Sequence, residues 1–430
     1  MGTSISKISY VLHVLSRIYS LQTWRGSKRF RSHNALNPDI VFVASASDFQ
    51  KSYDGNYVPD KLELWMREVA SLKLNSVLVL MPFSHVSGKA TPVDVLSIEC
   101  FALSSLTHKN KFLGLLYVIK EWRLNNATTQ LPLSTYLNSQ IWLNFLTRVK
   151  PKLVIGIGLT DVIFEVCGVL GIKTIEVQHG IFSEIELRRW WRYSSNGINY
   201  GPDLFVTWDE HYSNIAATLN IKSLTLGYPN RFQSIDANHK GVSRLEKPYK
   251  PVVVVTLSCR LPGGIGPWGM IDKNMDTAIL KLLSLGILVR LRIHPVVEGG
   301  TIRRACISRW LIRRYQNSEV VFPKHESILR TLNNANVHLT IASSTALEAS
   351  YMGVPTLILE AAYLIPPAVH LPLESGSFLP QKLLSLGIIK TTSKDSLLED
   401  LELFMRLPRS PFMNSLKISE FKEQITRWTS

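Results

Sequence analysis

Val337-His-Leu-Thr-Ile-Ala-Ser-Ser-Thr-Ala-Leu-Glu-Ala-Ser-Tyr-Met-Gly-Val-Pro-Thr-Leu-Ile-Leu359 reads as strand, helix and strand in immediate succession. The run 337–341 is apolar and β-branched, as a strand buried on both faces must be. Ser343, Ser344 and Thr345 are residues that cap a helix start, and Gly353 stops the helix. The run 354–359 is again apolar. Two buried strands joined by a helix form a βαβ unit, which requires a parallel sheet.

The same alternation extends upstream from this unit. Val252–Leu257 reads as a buried strand, followed by the loop Leu261-Pro-Gly-Gly-Ile-Gly-Pro267 and a helix to about residue 285. Ile287–Ile293 is a strand ending at His294-Pro295. Residues 319–322 and 327–334 read as strand and helix. The segment 226–250 is polar and rich in turn formers, which marks an interdomain connection. Before it the alternation occurs a first time. Strands are expected over 39–45, 76–81, 153–157, 173–177 and 203–208, with helices over 61–73, 101–122, 133–148 and 160–170. The expected organisation is a helical, basic segment at 1–35, a Rossmann-like domain at 36–230, a linker at 231–250 and a second Rossmann-like domain at 251–430. The fold class is α/β.

Composition narrows the function classes. Of 430 residues, 46% are hydrophobic and 19% charged, which suits globular domains with large cores and excludes a disordered chain. Four cysteines are scattered without metal or disulfide spacing, which fits a reducing, cytoplasmic compartment. Lys and Arg number 48 against 33 Asp and Glu, a net charge of +15. This excess attracts polyanions or merely solubilises the surface. Aromatics are not interleaved with the basic clusters, so nucleic acid is not the expected partner. No apolar run reaches the roughly 20 residues of a membrane span. Ile8–Tyr19, followed by Arg25, Lys28, Arg29 and Arg31, does not have the order of a secretory signal. It reads either as a domain-packing helix or as an amphipathic helix on the anionic inner face of the plasma membrane.

Several residues stand where chemistry is expected. Ligands of open α/β sheets bind beyond the carboxyl ends of the strands. Ser343, Ser344 and Thr345 occupy such an end and supply hydroxyls and helix-start N–H groups for an anion, or else only a cap. Glu348, one turn on, is a candidate acceptor for ribose hydroxyls, and His294-Pro295 ends a neighbouring strand. Gly263 and Gly264 allow close backbone approach to a phosphate, a weak signal alone. In the first half, Gln178-His179-Gly180 ends the strand 173–177. His179 is placed to be a general base or a phosphate ligand, with a satisfied core histidine as the alternative. Asp161 and Glu184 are the carboxylate alternatives for the base, Asp161 also being a natural helix cap. Arg188 and Trp191, in Arg188-Arg-Trp-Trp-Arg, could line an acceptor groove together with Gln178 and Gly180. No histidine cluster and no Asp-x-Asp pair is present, so neither metal nor cofactor is expected.

The ordered set Gln178-His179-Gly180, Pro202–Trp208, Leu226-Gly-Tyr-Pro229, His294-Pro295 and Ser343-Ser-Thr-Ala-Leu-Glu348 resembles the GT-B glycosyltransferases of bacterial capsule and O-antigen biosynthesis. Bacterial sialyltransferases and CDP-glycerol glycerophosphotransferases are similar at a greater distance. The resemblance spans about 176–360. It implies two Rossmann-like domains facing a central cleft, donor phosphate and nucleotide on His294, Ser343 and Ser344, and a base at His179. The chain departs from the glycerophosphotransferase pattern, which continues Thr-Pro-Leu-Lys where Ile181-Phe-Ser-Glu184 stands, and it lacks the acidic sialyltransferase motif. The expected activity is sugar transfer from a nucleotide-activated donor to a glycan or lipid-linked acceptor. A sugar-nucleotide epimerase of the same architecture and a non-catalytic polysaccharide- or membrane-binding assembly protein are the alternatives.

Overall fold

A computed structural model describes residues 37–44, 49–51, 57–59, 61–80, 95–97, 132–180, 187, 201–229, 251–258, 261, 263–298, 301–323, 325–341, 343–362, 381–407 and 417–430. The expected segment 1–35, helix 101–122 and linker 231–250 lie outside these residues, as do Glu184, Arg188 and Trp191.

The N-terminal half is built on β1 (Ile40–Ala44), β4 (Ser76–Leu80), β5 (Val95–Ser97), β6 (Leu153–Gly156), β7 (Lys173–Val177), β8 (Leu204–Thr207) and β9 (Ser223–Thr225). A separate antiparallel pair, β2 (Phe49–Lys51) and β3 (Tyr57–Pro59), follows β1. The seven strands form one sheet in the order β5-β4-β1-β6-β7-β8-β9, and every pairing is parallel. Helices α1 (Glu63–Ser71), α2 (Pro132–Val149), α3 (Asp161–Leu170) and α4 (Glu210–Thr218) make the crossovers. The central strands β1, β6 and β8 are buried at every position, which explains their uninterrupted apolar sequence.

The second sheet has the order β12-β11-β10-β13-β14-β15 and is likewise all parallel. Its strands are β10 (Val252–Thr256), β11 (Leu288–Arg292), β12 (Glu319–Val321), β13 (Val337–Thr340), β14 (Thr356–Leu359) and β15 (Ile389–Thr392). The helices are α5 (Lys273–Ser284), α6 (Pro295–Glu298), α7 (Thr301–Arg314), α8 (Ile328–Asn333), α9 (Thr345–Tyr351), α10 (Gln381–Ser385), α11 (Leu397–Arg406) and α12 (Ile418–Thr429). On β11, Val289 and Leu291 join the main apolar cluster of this half, while Arg290 and Arg292 turn the other way. Both arginines are buried and matched. Arg290 bonds Glu319 at 2.8 Å and Glu326 at 3.1 Å, and Arg292 donates to the Glu326 carbonyl and the Thr331 hydroxyl. Charge-assisted bonds of this kind offset the cost of burying a guanidinium.

In each sheet the strand order reverses once, between β1 and β6 and between β10 and β13. A crevice opens at such a reversal, beyond the strands' carboxyl ends. The last helix crosses back. Its chain position follows the second half, but Phe421 and Ile425 of α12 lie in the apolar cluster of β1, β6 and α1, and Phe421 meets Trp65 at 4.6 Å between ring centroids. Among the described residues, no helix is long and apolar enough to cross a membrane.

Candidate functional site

His179 follows directly on β7. Three residues earlier, on that strand, Glu176 is 1% exposed. Its carboxylate accepts the backbone N–H of Gly158 at 2.5 Å and of Leu159 at 2.9 Å, which fixes the loop between β6 and α3. Its Oε1 also stands 3.6 Å from His179 Nδ1. The imidazole lies over Gly158, which keeps the space beside the ring open. The ring remains 25% exposed.

Gln178 takes a different role from the acceptor contact expected of it. It is fully buried, its Nε2 donating to the Gly180 carbonyl at 2.8 Å and its Oε1 accepting from the Trp208 N–H at 2.7 Å. Both ends of the amide are therefore consumed in shaping the turn that presents His179. Gly180 faces the other half of the protein, where a Cβ on it would lie 3.3 Å from Ser344 Cβ. The QHG turn and the Ser343-Ser344-Thr345 loop thus touch across the junction of the two halves.

Ser343, Ser344 and Thr345 are half-buried at the carboxyl end of β13. No side chain caps α9 at Ser344. Ser343 Oγ instead accepts from the Thr345 N–H and hydroxyl, at 3.3 and 2.8 Å. The Thr345 hydroxyl is also 3.0 Å from the Thr256 hydroxyl, which ties the loop to β10. Glu348 is 2% exposed and faces the first half. The expected sugar-binding role for Glu348 therefore meets a residue the sequence reading passed over: Lys61, whose Nζ is 2.8 Å from Glu348 Oε1.

Lys61 sits just before α1 and reaches across the cleft. Its ammonium donates to the His179 carbonyl and lies 5.5 Å from the Trp208 ring centroid. It also acts on both histidines. Burial first and the Lys61 charge second hold His179 down to about 3 and His294 down to about 4. Both rings are thus neutral at neutral pH, able to accept or donate one hydrogen bond at each nitrogen. His294 and Pro295 are half-buried at the end of β11.

Three further expected residues are engaged locally. Gly264 serves its own turn: its N–H donates to the Leu261 carbonyl at 3.0 Å, a Cβ there would come within 2.5 Å of the Gly269 carbonyl, and the loop closes on itself through Ile265 and Ile271. Gly263 lies in the same turn. Asp161 opens α3, and its carboxylate accepts the N–H of Val162 at 3.0 Å. Among the described residues, no three His, Cys, Asp or Glu side chains gather as a metal site requires. The thiol of Cys167, buried, is pushed up to about 12 and is inert.

The halves are joined by rings as well as by the ion pair. Tyr351 of α9 stacks on Tyr228 at 5.2 Å and meets Trp208 edge-on at 6.4 Å. Two parallel Rossmann-like sheets with their carboxyl ends converging on one crevice define the class: an α/β protein of GT-B architecture.

No family model and no curated protein matches the sequence. The fold is shared with solved structures. A UDP-GlcNAc 2-epimerase from Methanocaldococcus jannaschii, in complex with UDP-GlcNAc and UDP, aligns over 90% of this chain and 99% of its own, at 13% identity and a TM-score of 0.54. The S. aureus MnaA–UDP structure aligns over 90% and 96%, at 13% identity and 0.54. The Neisseria meningitidis UDP-GlcNAc 2-epimerase bound to UDP-GlcNAc aligns over 90% and 98%, at 13% identity and 0.51. At this identity the likeness concerns the fold.

Proposed function

We propose that the protein is a glycosyltransferase that moves a sugar from a nucleoside-diphosphate carrier to a hydroxyl of a glycan or lipid-linked glycan. The observation that carries this reading is geometric: His179 stands 3.6 Å from a buried carboxylate and adjoins, through Gly180, the loop of Ser343 and Ser344. Transfer needs one base and one anion site on opposite walls of a cleft. His179 accepts the proton of the acceptor hydroxyl as that oxygen bonds to the anomeric carbon. The bond from that carbon to the phosphate oxygen breaks, and the nucleotide leaves with the electron pair. Ser343, Ser344 and His294 hold the departing phosphate, and the reading calls on no metal. Glu176 orients the ring and stabilises the imidazolium that forms.

A second reading is a nucleotide-sugar epimerase, favoured by the epimerase structures that align over 90% of the chain. Epimerisation next to the anomeric carbon removes and returns a carbon-bound proton, which calls for carboxylates or other bases free to exchange it. Among the described residues, the acidic groups nearest His179 are committed: Glu176 to the backbone N–H groups of Gly158 and Leu159, and Asp161 to the start of its own helix. This favours transfer.

Incubation with UDP-GlcNAc in deuterated water, without acceptor, separates the two. A transferase returns the sugar unexchanged, whereas an epimerase incorporates deuterium at C2. With acceptor present, His179→Gln should lower kcat at least 100-fold and leave the Kd of UDP within threefold. Unchanged kcat in that variant would remove His179 from the chemistry.

A further inference from the structure

Lys61 is part of no motif, yet four geometrical facts converge on it. Its side chain is 18% exposed, and its ammonium pairs at 2.8 Å with Glu348, whose side chain is 3% exposed. It donates to the carbonyl of His179. It lies over the Trp208 ring. Among the described residues, it forms the ion pair joining the N-terminal half to 251–407.

We infer that Lys61 is the residue through which the N-terminal half binds the diphosphate of the ligand, and that Glu348 is the counter-ion this diphosphate replaces. The inference rests on the nucleotide-sugar reading above. A largely buried lysine whose side chain is not fully closed off is a strong site for a doubly charged anion. Displacing it leaves Glu348 as a buried carboxylate, which must find new donors. A ribose diol arriving with the diphosphate supplies two O–H donors beside it, a pair that inorganic pyrophosphate lacks. The Lys61–Glu348 pair therefore selects a ribonucleoside diphosphate over its phosphate part alone. Neutralising Lys61 with the diphosphate also lifts one of the two influences that hold His179 down, so arrival of the donor makes the base stronger. Burial, the larger influence, remains.

The test is calorimetric titration of the full chain with UDP and with pyrophosphate. Lys61→Met should weaken UDP binding 10- to 100-fold, and Lys61→Arg should keep it within fivefold. Glu348→Gln should tighten pyrophosphate at least fivefold, because the competing carboxylate charge is gone. In proton NMR the C2–H resonances of His179 and His294 should titrate at higher pH in Lys61→Met than in the wild type. A folded Lys61→Met protein that binds UDP as the wild type does overturns the assignment and leaves the nucleotide reading standing. If that variant does not fold, pyrophosphate binding unchanged in Glu348→Gln overturns it instead. A wild type that binds none of UDP, GDP, CDP and CMP refutes the nucleotide reading itself, and the role of Lys61 with it.

Discussion

His338 on β13 is fully buried, its Nε2 3.0 Å from the Thr256 hydroxyl, and burial holds it down to about 3. An unfolded histidine titrates near 6.5. Between these values the unfolded chain binds a proton that the folded chain refuses, so stability rises with pH there and is lost as pH falls below about 6.5. At pH 5 the loss from this one residue is about 2 kcal/mol. His179 and His294 act in the same direction. Urea unfolding at pH 5, 6 and 7 should show the decline, and His338→Gln should flatten it by about that amount relative to its own value at pH 7. An equal slope in both proteins would mean that the fold does not lower the pKa of His338. At this scale the sequence was only partly legible. His179 stood out because a strand end and a following glycine frame it. Lys61 did not, since a single lysine before an amphipathic helix has no pattern and its meaning comes from Glu348, 287 positions away in the chain. Gln178 and Gly264 looked like ligand contacts because polar or glycine residues at strand ends usually face outward; a buried amide and a carbonyl pressed against Gly264 absorb them instead.

The elements read most readily were the buried parallel strands, whose apolar runs need no periodicity to be seen. Val252–Thr256 and Leu153–Gly156 are buried at every position. Edge strands were harder. β15, Ile-Lys-Thr-Thr, buries only its two end residues, and β9 is three half-buried residues long. α7 was missed because Arg303, Arg304, Arg309, Arg313 and Arg314 cover its surface and leave only a thin apolar stripe through Ile307 and Leu311. The C-terminal helix makes a sharper point. Its apolar face is readable, but its place against α1 is a matter of tertiary packing. Phe421 is fully buried against the fully buried Trp65, and Lys422 adds an ion pair to Glu68 at 2.8 Å. Truncating a buried Phe to Ala costs roughly 3–5 kcal/mol in lost burial and cavity. Phe421→Ala should therefore destabilise the sheet of β1 and β6 by about that much in denaturant unfolding, read through Trp65 fluorescence. A loss below about 1 kcal/mol would show that α12 is dispensable to that half.

For the whole molecule, the doubling of the βαβ pattern told of two sheets. The contact between them, made by Tyr351, Tyr228, Trp208 and the Lys61–Glu348 pair, joins residues too distant in the chain to be paired by inspection. The +15 charge also acts at this scale. On the second half, α7 exposes Arg309 and Arg313, with Ile312 56% exposed between them. An apolar side chain flanked by cations suits the headgroup layer of an anionic bilayer, where each Lys or Arg near the surface contributes about 1 kcal/mol. Under the proposed transferase reading with a lipid-linked acceptor, such a face would hold the protein where that acceptor is. The full chain should then co-sediment with vesicles containing 30% phosphatidylglycerol and not with phosphatidylcholine alone. Because a Debye length of about 10 Å at 0.1 M salt falls to about 3 Å at 1 M, high salt should release it. Arg309→Glu with Arg313→Glu should weaken the partitioning at least tenfold while the Kd of UDP stays within twofold. Equal partitioning of that variant would locate the membrane contact elsewhere on the chain, and no partitioning of the wild type would leave the basic excess to solubility alone.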